Sequence, residues 1–269
     1  MNLRYFIPLF LAGIMLYGNA SCAEISQHFD SEGNPLSAGR WGTENSLPCG
    51  IQRYSVPEGI ELQKDIRYEF YPVFGKTFSE IVRSAEENSP VDLKDKKRLP
   101  SRSEWTIGWE YKLAYSYGID EEEKTVHALA EIYDINITFY IKITLPTLID
   151  DTVLNPAEKT LWKNYYLRLV EYEHDHAKIL RDSEAQKELI GKFKDLGYVI
   201  FDYSDDIDIQ KTVETFVQRE TEKTGSNWVK ELKKRSDEYE KVTEYGFALQ
   251  KRDSFFSQKE NQKENQKEK

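Results

Sequence analysis

Residues Trp105 to Tyr117 read WTIGWEYKLAYSY, and this stretch fixes the sheet half of the fold. Trp105, Ile107, Trp109, Tyr111, Leu113, Tyr115 and Tyr117 share one parity; Thr106, Gly108, Glu110, Lys112, Ala114 and Ser116 share the other. A period of two held over this length marks a β-strand with one buried face. The aromatic row predicts a sheet face packed on helices; a ligand-stacking platform is the other use of such a row.

Two flanking stretches repeat the pattern. Ile66 to Val73 places Ile66, Tyr68 and Phe70 opposite Arg67 and Glu69, as a half-buried strand does. Val126 to Leu145 alternates too, but its parity changes near Ile132 and Tyr133, which predicts a bulge or a break. Clean alternation with one polar face predicts an antiparallel sheet, wet on one side. Between the first two strands, Gly75-Lys76-Thr77 ends like a phosphate loop but lacks that motif's earlier glycine. It reads instead as a turn, with Thr77 capping a short helix, Phe78 to Asn88.

The C-terminal half is helical. Asn155-Pro156-Ala157-Glu158 combines an Asn cap, Pro at the first helical position and Glu two residues on, and the pattern continues to Gly197. After a short strand near Val199 to Tyr203, a second helix runs from about Ile207 to Glu244, with Gly225 a candidate break. Asp202, Asp205, Asp206 and Asp208 lack the central glycine and final glutamate of a calcium loop, and suit a helix start. The expected fold class is α+β: an antiparallel β-sheet packed against two long C-terminal α-helices in one domain, residues 51–250.

The rest of the chain frames that domain. Its 269 residues carry a formal net charge of −10, which argues against binding a nucleic-acid backbone. Arg4, the apolar run Phe6 to Tyr17 and small residues near Ala20 and Ala23 predict a signal peptide over residues 1–23. After its removal no run is long enough for an integral membrane span, and the expected location is periplasmic or secreted. Residues 24–50 read as a linker or poorly ordered arm, and 251–269 as a disordered charged tail. The only cysteines are Cys22 and Cys49. Cleavage after Ala20 leaves both for a disulfide; cleavage after Ala23 leaves Cys49 alone; lipid anchoring at Cys22 is disfavoured by Asn19.

The chemistry concentrates in Tyr165 to Ser183, YYLRLVEYEHDHAKILRDS, which holds two of the four histidines. At about 100° per residue, His174 projects about 160° from His176, so the two cannot bind one ion from a regular helix. Tyr172 and Glu173 do lie on the side of His176. The string Tyr172-Glu173-His174-Asp175-His176 is therefore H-E-x-x-H with its first ligand replaced by a phenol. A phenol with a pKa near 10 offers zinc an anion only at a cost in proton release.

Several strings together resemble a known bacterial family. They are Tyr71-Pro72-Val73-Phe74-Gly75-Lys76-Thr77, Trp105-Thr106-Ile107-Gly108-Trp109, Ile143-Thr144-Leu145-Pro146, Trp162, Tyr172 through Ala177, and Tyr239-Glu240 followed by Thr243-Glu244-Tyr245-Gly246. In this order, over about Ile66 to Gly246, the chain resembles domain of unknown function 922, described as predicted secreted zinc-dependent proteases. The resemblance implies a zinc-hydrolase scaffold with H-E-x-x-H-A in the first helix and a third ligand before the final glycine of the second. The chain departs from it at Tyr172 and Tyr245, where ligand histidines are expected, and at Glu240 in place of an aspartate.

These departures imply a metal site lost as a unit. What remains is Glu173 as a remnant general base and His176 as a remnant ligand, with Tyr172 and Tyr245 at ligand positions. The expectation is an exported, non-catalytic relative that binds a peptide or envelope protein through the former active-site cleft. It needs no cofactor; zinc enters only if the site still functions. Two other readings stand beside it: a metal-dependent peptidase with an altered site, using Glu173 as base and His176 as ligand, and a purely structural protein.

Overall fold

A computed structural model describes residues 15–16, 21–36, 56–91, 98–149, 154–246 and 248–257. The strand read from WTIGWEYKLAYSY is β4, Arg102–Asp120, and its burial follows the predicted parity from Trp105 to Tyr115. Glu121 to Lys124 turn the chain back into β5, Thr125–Leu148, beside β4. Lys124 takes a left-handed backbone (φ 53) in this short connection, which forces an antiparallel pair. In β5 burial alternates at Val126, Ala128, Ala130 and Ile132, resumes at Ile141, and covers both faces from Ile143 to Leu148. The change of parity predicted near Tyr133 coincides with Asp134, whose φ of 50 marks the irregularity.

The other strands are β1, Met15–Leu16, β2, Ser21–Asp30, β3, Arg67–Val73, and β6, Tyr198–Asp202. The sheet is mixed, not purely antiparallel as expected. β1 and β6 run antiparallel to β4 and β5, but β3 lies parallel to β5, with Arg67 opposite Lys142 and Val73 opposite Leu148. Alternation reports which face of a strand is buried and is silent on its direction. β2 also corrects the arm expected over residues 24–50, because residues 24–30 are strand paired with β4.

The helices are α1, Phe78–Asn88, α2, Pro156–Leu180, α3, Ser183–Lys194, and α4, Ile209–Val242. The predicted caps are in place. Thr77 accepts from the Glu80 amide and Asn155 from that of Glu158. α4 starts at Ile209, not near Ile207, and Asp208 Oδ1 accepts from the Lys211 amide there. The first long helix of the sequence reading is instead two, because the chain breaks at Arg181, whose ψ of 19 leaves the helical range before α3. Side-chain periodicity runs across such a short interruption unchanged. Conversely, α4 continues through Gly225. A Cβ at Gly225 would lie 2.0 Å from the Trp109 ring, so close packing, not a break, requires the glycine.

The chain divides into two compact units, where one domain was expected. Unit 1 comprises residues up to 27, 108–137 and 184–227; unit 2 comprises 28–107, 138–183 and the chain from 228 onward. β4, β5 and α4 each contribute to both. In unit 1 the aromatic row is core: Trp109 and Tyr111 meet Phe193 of α3. Trp109 donates to Gln27 Oε1 at 2.6 Å, and Tyr111 shares a 2.9 Å hydrogen bond with Thr221. Unit 2 holds α1, α2, the β3–β5 pair and α4 from Trp228 to its end.

The predicted disordered tail also needs correction. A 3-10 turn, Leu249–Lys251, and a helical turn over residues 252–257 follow α4. Phe255 and Phe256 anchor it by packing against a cluster of Tyr172, Ile179 and Tyr239. Residues 258–269, Cys49, the side chain of Cys22 and most of the expected signal peptide lie outside the described residues.

Candidate functional site

α2 buries most of its circumference in its second half, including the charged or titratable residues Glu173, Asp175 and His176. Tyr172, Glu173 and His176 line one cleft of unit 2, about 650 Å³ in volume. That is within the range of small-molecule and peptide sites. His174 is not among its lining residues; its Nε2 lies 2.7 Å from the Tyr68 hydroxyl in a hydrogen bond. His127 is equally remote in use: it belongs to unit 1 and bonds Tyr198.

The opposite wall comes from α4. Lys233, Ser236, Asp237, Glu240 and Lys241 recur at helical spacing and all face the cleft. Beyond α4, Glu244, Tyr245 and Gly246 take left-handed backbone (φ 52, 57 and 87), and the Tyr245 amide reaches back to the Glu240 carbonyl at 2.8 Å. This turn carries Tyr245 to the cleft and sets Gly246 on Tyr172, where a Cβ would lie 3.2 Å from the ring. A non-glycine residue there would face both strained backbone and a filled space. Ser101, just before β4, and Ser103 and Trp105, at its start, complete the lining. The two helical motifs far apart in sequence thus meet in one place.

Inside, each group has a defined state. His176 is buried and its Nδ1 is 2.7 Å from Ser236 Oγ, which leaves Nε2 as its remaining ring nitrogen. Burial lowers its pKa to about 4, with Asp237 opposing and Lys233 adding to the shift, so the imidazole is neutral at pH 7. Glu173 is 1% exposed. Burial pushes its carboxyl up to about 7; hydrogen bonds from Ser103 and Ser101 oppose this, and nearby Glu240 adds to it. Ser103 donates to Glu173 Oε2, while Oε1 is buried with no hydrogen-bond partner. Tyr172 stacks on Tyr239 (centroids 5.7 Å apart) and sits edge-on to His176 at 4.7 Å. Burial first, then the charges of Glu240 and Glu173, drive its phenol pKa far above the usual value.

Behind the cleft lies a second buried network. Asp175, 2% exposed, accepts from Tyr239 Oη and from Arg252 Nη2, both at 2.6 Å. Arg252 thereby ties the C-terminal turn to α2, and Lys178 lies over the Phe256 ring, 4.1 Å from its centroid.

The donor set does not fit a zinc ion. A catalytic zinc normally has three protein ligands. Here one neutral imidazole remains, and the neighbouring phenol is held protonated by burial and two carboxylates. Tyr245 is 46% exposed at the rim. Among the described residues no group of three or more His, Cys, Asp or Glu is arranged to hold a metal.

Sequence reasoning missed Ser236, Ser103 and Arg252. Ser236 stands 60 positions from His176, and no local pattern links them. The cleft-facing residues of α4 recur at helical spacing in the sequence, but nothing local shows which of its faces meets α2.

No curated protein and no solved structure matches the chain. The family described as "Bacterial protein of unknown function (DUF922)" matches residues 68–246, which include all but the first residue of β3, the whole of α2 and α4, and the Tyr172–Tyr245 arrangement. The chain belongs to this DUF922 family.

Proposed function

We propose that this protein is an exported, non-catalytic member of its family, which binds a peptide or envelope partner in the cleft of unit 2. One observation carries the reading. The residue at the first ligand position, Tyr172, is a protonated phenol packed between His176 and Tyr239, so the place of a metal donor is filled by a hydrophobic stack. Without an activated water, Glu173 has no proton to abstract for hydrolysis. The cleft itself persists, polar and large enough for a few residues of extended chain. Export rests on the signal-peptide pattern of residues 1–23. Of the two cleavage positions, Ala20 leaves β2 whole, whereas Ala23 removes its first three residues, Ser21 to Ala23.

Metal content tests the reading. The purified protein is expected to carry no stoichiometric zinc, and the double variant Tyr172→His, Tyr245→His to acquire it. Tight stoichiometric zinc in the native protein would overturn the proposal. It would favour the alternative, a peptidase with Glu173 as base and His176 as ligand. A specific feature supports that alternative: a carboxyl near pH 7 suits a general base.

A further inference from the structure

We infer that the cleft of unit 2 is a seat for a lysyl side chain, whose ammonium group docks on Glu173 Oε1. This deepens the reading above and rests on it, since in the alternative reading a metal-bound water would occupy the same carboxylate.

Three features converge. Glu173 lines the cleft and is 1% exposed, yet Oε1 has no hydrogen-bond partner. A buried carboxylate oxygen without a donor is costly, and native proteins leave few of them unexplained. The cleft is also negative. Asp30, Glu32, Glu104, Glu173, Asp237 and Glu240 line it, against Arg102, Lys233 and Lys241. Two of those cations already have carboxylate partners: Arg102 pairs with Glu104 at 2.7 Å, and Lys233 with Asp237 at 3.0 Å and Glu32 at 3.8 Å, while Lys142 also meets Glu104. The field that remains attracts a cation. Finally, the aromatic residues Trp105 and Tyr172 also line the cleft, and such rings suit the stem of a long side chain and the face of a cation.

The acceptor geometry selects among cations. Guanidinium binds best to a carboxylate through two parallel hydrogen bonds. Glu173 Oε2 is already taken by Ser103, so a fork finds one open oxygen. An ammonium is a point donor and needs one. The ligand class is therefore an extended peptide bearing lysine.

The test is calorimetric titration of the whole protein at pH 8, on a sample whose zinc content has been measured. The probes are acetyl-Ala-Lys-Ala-amide and its norleucine counterpart, which keeps the stem and lacks the ammonium. The lysyl peptide is expected to bind at least about tenfold more tightly. Glu173→Gln should abolish that preference while the far-UV circular dichroism stays native. Equal affinity of the two peptides, no binding of either, or a lysine preference that survives Glu173→Gln overturns the inference. The peptide comparison on the native chain needs no variant. Zinc in the sample reports separately on the non-catalytic reading: a zinc-free protein indifferent to lysine defeats only the ligand assignment.

Discussion

Replacing Glu173 with Gln should stabilise this protein at alkaline pH, although it alters a fully buried residue. The carboxyl of Glu173 is displaced upward from 4.5 to about 7, chiefly by burial, with Glu240 adding repulsion. The folded state therefore holds the proton more tightly than the unfolded chain does. Stability from this group is fully present below 4.5 and is lost as pH rises through about 7. Above both values the loss is about 3 kcal/mol for a displacement from 4.5 to about 7. Gln avoids it, but exchanges a charge-assisted hydrogen bond from Ser103 for a neutral one, worth about 1 kcal/mol. The variant should thus be more stable by about 2 kcal/mol at pH 8 and equal or slightly less stable near pH 4.

His176 provides an internal check. Its pKa is depressed from 6.5 to about 4, so its contribution is present above 6.5 and lost as pH falls toward 4. In the native chain the two groups oppose each other across nearly the same window. In Glu173→Gln only the histidine remains, so the variant should lose stability on acidification more steeply than the native chain. The assay is urea denaturation at half-unit steps from pH 4 to 8, followed by tryptophan fluorescence. Parallel pH profiles for the two proteins, or a less stable variant at pH 8, would refute the reasoning. A cleft-lining carboxylate that costs stability at working pH and has one oxygen without a donor fits a group retained for a ligand.

Other positions give tests of the scaffold. Arg252→Ala leaves the buried Asp175 carboxylate with Tyr239 alone, and should cost about 2 kcal/mol in urea stability. It should also expose the chain beyond Gly246 to limited proteolysis, with Arg252→Lys recovering part of both effects. Gly225→Ala drives a methyl group to within 2.1 Å of two atoms of the buried Trp109 ring, and should lower stability by about 3 kcal/mol or more. The matching change Gly191→Ala, with nothing within 4 Å, should raise it by up to about 1 kcal/mol, and thermal melts compare the two.

The sequence by itself determined what depends on neighbours along the chain. Parity gave the buried face of β4 and the irregularity at Asp134, because alternate side chains must fall on opposite sides of a strand. Thr77 and Asn155 marked helix starts, because only a nearby side chain can reach the free amides of a first turn. The helical angle separated His174 from His176, which the structure places on Tyr68 and Ser236 respectively. Tertiary structure alone decided the parallel pairing of β3, the division into two units, and the Ser236 and Ser103 contacts, since each joins segments far apart in the chain. It also decided the ionisation of the cleft. Tyr172, Glu173 and His176 carry ordinary side chains in the sequence. Their shifted pKa values arise from burial and from Glu240 and Lys233 on another helix. Desolvation is a property of the packed interior, so the chemistry of this cleft became readable only once the chain had closed around it.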